Sequence, residues 1–103
     1  MPEPIRIRTR RSEGLTEVRI LMPHPMETGM RQGADGHLLP AHYITEVRVS
    51  VEERPVFAAS MSYAVSQDPL LSFRFKGGRP GDRLRVSWTD NLGQQRSDEA
   101  LLS

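Results

Sequence analysis

Apolar and polar residues alternate with period two in several separate stretches of this chain, and no stretch keeps a helical period over three turns. Ile5, Ile7 and Thr9 alternate with Arg6, Arg8 and Arg10; after a turn at Ser12-Glu13-Gly14, Val18, Ile20 and Met22 alternate with Glu17, Arg19 and Leu21. A strand sends successive side chains to opposite faces, so these runs predict a first hairpin. Val47, Val49 and Val51 share a face opposite Arg48 and Ser50, with Ile44 out of phase, which predicts a bulge or twist near Thr45 and Glu46. Residues 55–61 read as the returning strand, opened by Pro55, which has no amide hydrogen to donate. Leu71, Phe73 and Phe75, a break at Gly77-Gly78-Arg79-Pro80-Gly81-Asp82, and Leu84, Val86 and Trp88 predict a further pair. The turn Asp90-Asn91-Leu92-Gly93 leads to a last, weaker strand over 95–101.

About seven short strands in roughly 100 residues predict an all-β fold, an immunoglobulin-like antiparallel β-sandwich, in a single domain over residues 1–103. The two cysteines that bracket a tryptophan in antibody domains are missing, so the likeness is architectural. Residues 23–42, PHPMETGMRQGADGHLLPAH, fit neither strand nor helix. A loop this long in a compact domain is usually functional or disordered. Here Pro23, Pro25 and Pro40 restrict its ends, and Met22, Met26, Leu38 and Leu39 supply packing groups, so it is expected to be ordered, crossing between sheets.

Composition narrows the chemistry. With 14 Lys and Arg against 13 Asp and Glu, there is no overall electrostatic signature of a nucleic-acid or membrane binder. Arg6, Arg8, Arg10, Arg11 and Arg19 could form a basic stripe on the first hairpin, but no aromatic rings are interleaved for base stacking; a solvated face or a partner-binding edge is the better reading. Without cysteine, a thiol mechanism would need a partner's sulfur. His24, His37 and His42, with Met22, Met26 and Met30, invite a metal reading, but their spacing lacks the close ligand pairs of ordinary sites, and no metal or other cofactor is expected. No G-x-S-x-G elbow accompanies the serines and histidines, and Glu27 and Asp35 lie where solvated carboxylates are usual. No catalytic residue is assigned and no enzyme is expected. The N-terminal segment lacks the apolar run of a secretory signal, and no segment is long enough to span a membrane as a helix, so residue chemistry alone points to the cytoplasm.

The run His24-Pro25-Met26-Glu27-Thr28-Gly29, followed by Asp35-Gly36, Pro40-Ala41-His42-Tyr43-Ile44, then Asn91 and Gly93 after Trp88, and Asp98-Glu99-Ala100, resembles SoxZ of the bacterial sulfur-oxidation (Sox) system. The resemblance runs from about Ile5 to the end of the chain, with Pro69, the Phe73 to Gly77 segment and Gly81-Asp82 in order. It implies an immunoglobulin-like, non-catalytic subunit that forms a heterodimer with SoxY, the SoxYZ carrier of thiosulfate and sulfur oxidation, in which SoxY bears the sulfur-carrying cysteine. It also implies transient contacts with other Sox enzymes and a periplasmic location reached by co-export with SoxY; the residue-based reading remains cytoplasmic. A SoxZ-like module of another periplasmic pathway, such as one associated with quinoprotein dehydrogenases, is the alternative.

The family-motif loop is His24, Pro25, Met26, Glu27, Thr28, Gly29, Pro40, Ala41 and His42, expected to shape a surface for a partner. Large apolar residues outside the clear core alternation, Met22, Met26, Met30, Met61, Tyr63 and Leu70, are the expected partner-binding anchors.

Overall fold

Each alternating run becomes a strand. The computed structural model describes residues 2–103 and contains β1 (Arg6–Ser12), β2 (Leu15–Leu21), β3 (Ile44–Val51), β4 (Arg54–Ser60), β5 (Leu70–Lys76), β6 (Arg83–Asp90) and β7 (Gln95–Leu101), with no helix among the described residues. They form two antiparallel sheets, one ordered β1-β2-β5 and the other β4-β3-β6-β7, an all-β immunoglobulin-like sandwich as the alternation predicts. The first hairpin pairs β1 with β2, the second β3 with β4, and the last β6 with β7. The register shift between Ile44 and Glu46 is the irregularity expected near Thr45; it lets Ile44 join Val47, Val49 and Val51 in the core.

One expected pairing is wrong. β5 and β6 do not lie side by side: β5 pairs with β2, and β6 lies between β3 and β7 in the other sheet. The physical reason lies outside both strands: β2 receives β5 along one edge and β3 receives β6, which sets their apolar faces opposite each other across the core. Phe73 and Phe75 from one sheet and Leu84, Val86 and Trp88 from the other turn inward and join a common core. The six-residue break between the strands is thus a crossover between layers.

Val18 and Ile20 from β2, the β3 valines, and Leu84, Val86 and Trp88 from β6 form the centre of that core, each at most 2% exposed. At about 1.5–3 kcal/mol for each large apolar side chain buried, this layer is the main driving force for folding. The aromatic rings divide by position. Trp88 is central, whereas Phe57 stacks on Phe73 at 4.5 Å between centroids, and Phe57, Phe73 and Phe75 are only half-buried.

The segments near both termini tie the two sheets together. Leu102 is buried, accepts the Gly81 N–H and donates to the Asp82 carbonyl; the Ile5 N–H donates to Asp98 at 2.9 Å. Gly78, at φ +84°, is where the crossover passes closest to this tie: an added Cβ would lie 2.9 Å from both the Leu102 side chain and the Thr16 hydroxyl. Both atoms belong to buried residues, so neither is free to move aside. Gly78→Ala should therefore combine left-handed backbone strain with overpacking and cost about 2–4 kcal/mol. Gly81→Ala, at φ +88° in open space, should cost only about 1–2 kcal/mol. Urea denaturation of the two variants checks the difference.

Candidate functional site

The segment 23–43 carries the chain from β2 in one sheet to β3 in the other, and its two motif halves meet. Glu27 and His42 exchange backbone hydrogen bonds, Glu27 N–H to the His42 carbonyl at 2.6 Å and the reverse at 3.0 Å. Gly29 sits against Ala41 at φ +86°, where a Cβ would lie 3.1 Å from that of Ala41, so the close approach of the two halves favours glycine. Farther out, Gln32 bridges to Leu38 and Leu39 donates to the Arg31 carbonyl. The loop is an ordered crossing, as expected, but Leu38 is not one of its packing groups: it is 61% exposed, while Met22 and Met26 are buried.

Its inner end is held by Asp90, the last residue of β6. Asp90 Oδ1 accepts the N–H groups of Leu92, at 3.0 Å, and Gln94, at 2.8 Å. Oδ2 lies 3.1 Å from His24 Nε2 and 2.8 Å from His42 Nε2. His24 and the Asp90 carboxylate are buried, while His42 is half-buried and also reaches Gln94 Oε1 at 3.1 Å. Next to them, Asn91 clamps the loop by accepting the Tyr43 N–H, at 2.8 Å, and donating to the Ala41 carbonyl, at 2.9 Å.

The backbone settles the state of His24. Its Nδ1 accepts the Met26 N–H at 3.1 Å, so in the neutral ring the proton resides on Nε2 and is donated to Asp90. Burial pushes the His24 imidazole below its usual 6.5, outweighing the hydrogen bond to Asp90. Burial pushes the Asp90 carboxyl up, but the hydrogen bonds from His24, His42, Gln94 and Leu92 outweigh it and hold the group below the usual carboxylate range. His24 stands edge-on to the Trp88 ring, 5.0 Å between centroids, and 4.5 Å from the His42 ring. The Asp68 carboxylate accepts the His24 backbone N–H at 2.9 Å, and the Asp68 N–H returns to the His24 carbonyl.

Met26 is buried at φ 48°, an uncommon conformation for a side chain other than glycine. Its N–H on His24 and its Sδ, which accepts the Ile44 N–H at 3.3 Å, hold it there.

His24, His42 and Asp90 bring three ligand-type atoms within 4.8 Å of one another, a grouping missed from sequence because the histidines were weighed with the methionines and with no distant carboxylate. The hydrogen bonding speaks for a structural knot. A cation would need the Nε2 lone pair of His24, whereas metal-bound imidazoles usually carry their proton on the other nitrogen and donate it; here that nitrogen is an acceptor. A cleft of about 440 Å³ opens beside the knot, lined by Glu3, Pro23, His24, His42, Gln67, Asp68 and Gln94 among others, and one of its carboxylates, Asp68, is engaged by the His24 N–H.

The other sequence-chosen residues scatter. His37 is exposed beside Asp35, away from the knot, and Glu27 pairs with Arg31 rather than with Asp35. Met22 and Met26 are 0% and 5% exposed and belong to the core, which removes them as partner anchors: Met22 is in phase with Val18 and Ile20, and Met26 is drawn in by its own hydrogen bonds. Met61 is partly buried against the core, while Met30, Tyr63 and Leu70 are exposed. Tyr63 shares a groove with Pro25, Glu27, Thr28 and Arg31 of the motif loop; Leu70 lies on the outer face of the β1-β2-β5 sheet.

A family model described as "Sulphur oxidation protein SoxZ" matches residues 5–101. No curated protein matches the chain. Among solved structures, a hypothetical protein of Pyrococcus horikoshii OT3 is similar at 19% identity and a TM-score of 0.71, covering 99% of this chain and 89% of that one. A superoxide reductase in the oxidized state is similar at 17% identity and a TM-score of 0.71, covering 99% and 89%. The superoxide reductase (neelaredoxin) of Archaeoglobus fulgidus in the reduced form is similar at 22% identity and a TM-score of 0.67, covering 100% and 91%. Likeness at this identity shows a shared fold.

The knot should make stability depend on pH. Between its depressed folded value and 6.5, His24 is protonated in the unfolded chain but not in the folded one, so stability is fully present above 6.5 and falls as pH falls. The slope from this one group should approach, at most, about 1.4 kcal/mol per pH unit. Asp90 adds a second loss below its ordinary 3.8. Denaturant titrations from pH 8 to 4 should show the first loss in the native chain and a flatter profile in His24→Gln. At pH 7, Asp90→Asn should cost about 2–4 kcal/mol, because an amide N–H₂ would face donors whichever way it turned, those of His24 and His42 or the N–H groups of Leu92 and Gln94.

Proposed function

The chain belongs to the SoxZ family, with a role in the Sox system, and from that premise we propose that it is a non-catalytic subunit that pairs with SoxY. SoxY supplies the cysteine to which sulfur intermediates attach, and this chain has none of its own. The observation that supports a binding role most strongly is the state of the motif residues: the histidines and the carboxylate that could do chemistry are tied up in holding the loop, while the loop's outer side presents large apolar groups to solvent.

Those groups are Met30, 70% exposed, and Leu38, 61% exposed, on the loop itself, with Tyr63, 48% exposed, beside it. Together they have the composition of the centre of a protein interface, where aromatic and methionine side chains are enriched. A stable heterodimer would bury on the order of 1,200–2,000 Å² in total, with these side chains as its apolar anchors. The same reading puts the pair in the periplasm, exported together.

Co-expression with a SoxY tests the proposal. The two should co-purify at micromolar concentration, and the pair, but not this chain alone, should accept a sulfur adduct. Failure to pair, or an adduct on this chain alone, contradicts it. Met30→Glu and Tyr63→Glu should each weaken pairing about tenfold or more, as measured by titration calorimetry, with melting temperatures near that of the unmodified chain.

A further inference from the structure

The outer face of the β1-β2-β5 sheet concentrates charge that the rest of the molecule does not share. Alternation brings Arg6, Arg8 and Arg10 of β1, Arg19 of β2, and Arg74 and Lys76 of β5 to solvent on one side, with Glu17 the single acid among them. The remainder of the chain then carries eight Lys and Arg against twelve Asp and Glu, so a net charge of +1 conceals a strongly cationic face on an otherwise acidic molecule.

The register makes this face costly in isolation. Arg8 lies directly opposite Arg19, and like charges directly opposite each other on neighbouring strands are destabilising. Glu17 does not relieve the pair, because it is engaged by Arg10 at 3.2 Å and Arg74 at 3.1 Å. Among the described residues, neither Arg8 nor Arg19 has an acidic side chain within ion-pair distance. At one end of the same face, Arg6, Leu21 and Leu70 form a cross-strand row, and Leu70 is 67% exposed.

We propose that this face docks an acidic surface of another protein, with Arg8 and Arg19 as its electrostatic centre and Leu70 as an apolar contact. Charge complementarity identifies the partner's chemistry. It also accounts for retaining an unrelieved arginine pair, since a carboxylate seated between them would turn repulsion into attraction. A nucleic acid fits less well: Phe73 and Phe75 point inward from β5, leaving no aromatic ring on this face for stacking, and the Leu21–Leu70 row suits a protein.

The test is titration of the ¹⁵N-labelled full chain with poly-L-glutamate, read by amide chemical shifts at 50 and 300 mM NaCl. Shifts should concentrate on β1, β2 and β5 around Arg8, Arg19 and Arg74, and affinity should fall about tenfold or more at the higher salt. Arg8→Glu places an acid opposite Arg19, so it should melt no lower than the unmodified chain while losing affinity about tenfold or more. Arg8→Gln, which only removes a charge, should give a smaller loss. Shifts elsewhere or absent, undiminished affinity in both variants, or tighter binding of a DNA duplex of matched charge to this face would overturn the proposal.

Discussion

Asp90 accepts four N–H groups on one buried carboxylate, and each donor fixes a different part of the chain. The amides of Leu92 and Gln94 close the turn between β6 and β7, while His24 and His42 come from the two ends of the segment that crosses from one sheet to the other. An ionised carboxylate is costly to bury unless its lone pairs are filled, and these donors fill them. Because His24 also accepts the Met26 N–H, the same interaction extends to the left-handed turn at Met26 and from there, through its sulfur, to the first residue of β3. Hydrophobic burial drives the sandwich together; this carboxylate specifies how the crossing is laid over its end.

Local patterns exposed the strands because alternation is a property of neighbouring residues. Val47, Val49 and Val51 revealed their face without reference to anything distant, and the phase error at Ile44 revealed the bulge. The choice of sheet is not local. Both β5 and β6 read as half-buried strands separated by a glycine-rich break, and nothing between Leu70 and Asp90 distinguishes a hairpin from a crossover; the decision lies in β2 and β3, whose edges receive them. Asp90 was hidden for a related reason. In sequence it is an aspartate at the head of an Asp-Asn-Leu-Gly turn, where a solvated carboxylate is ordinary, and the histidines that bury it lie 66 and 48 positions away. The available signal was the recurrence of Asn91 and Gly93 beside the His24 and His42 motifs in the family resemblance, which marked this turn as belonging with the loop. Met26 shows the opposite difficulty: a large apolar residue in a loop reads equally well as an anchor for a partner or as packing, and only the geometry separates the two, whereas the phase of Met22 with Val18 and Ile20 already marked it as core.

A shared architecture does not fix the chemistry, because a site is set by its side chains. The fold resembles those of superoxide reductases, at identities that extend to the fold alone. What distinguishes this chain is the commitment of its polar groups. Histidines that are free to exchange protons or ligands make a reactive site, whereas His24 and His42 spend their Nε2 protons on Asp90 and leave a rigid loop with an apolar exterior. For a member of the SoxZ family that is a coherent division of labour under the proposed pairing: the interior fixes the shape of the crossing, and the surface is left for a partner.

The most direct measurement of this account is the protonation of the His24 ring. Long-range ¹H–¹⁵N correlation of the histidine side chains at pH 7 should find His24 neutral, with its proton on Nε2 and Nδ1 acting as an acceptor, and should find that this state persists as the pH is lowered past 6.5. A proton on Nδ1, or titration of His24 at the value of an exposed histidine, would contradict the central claim that Asp90 and Met26 hold this ring as a structural donor.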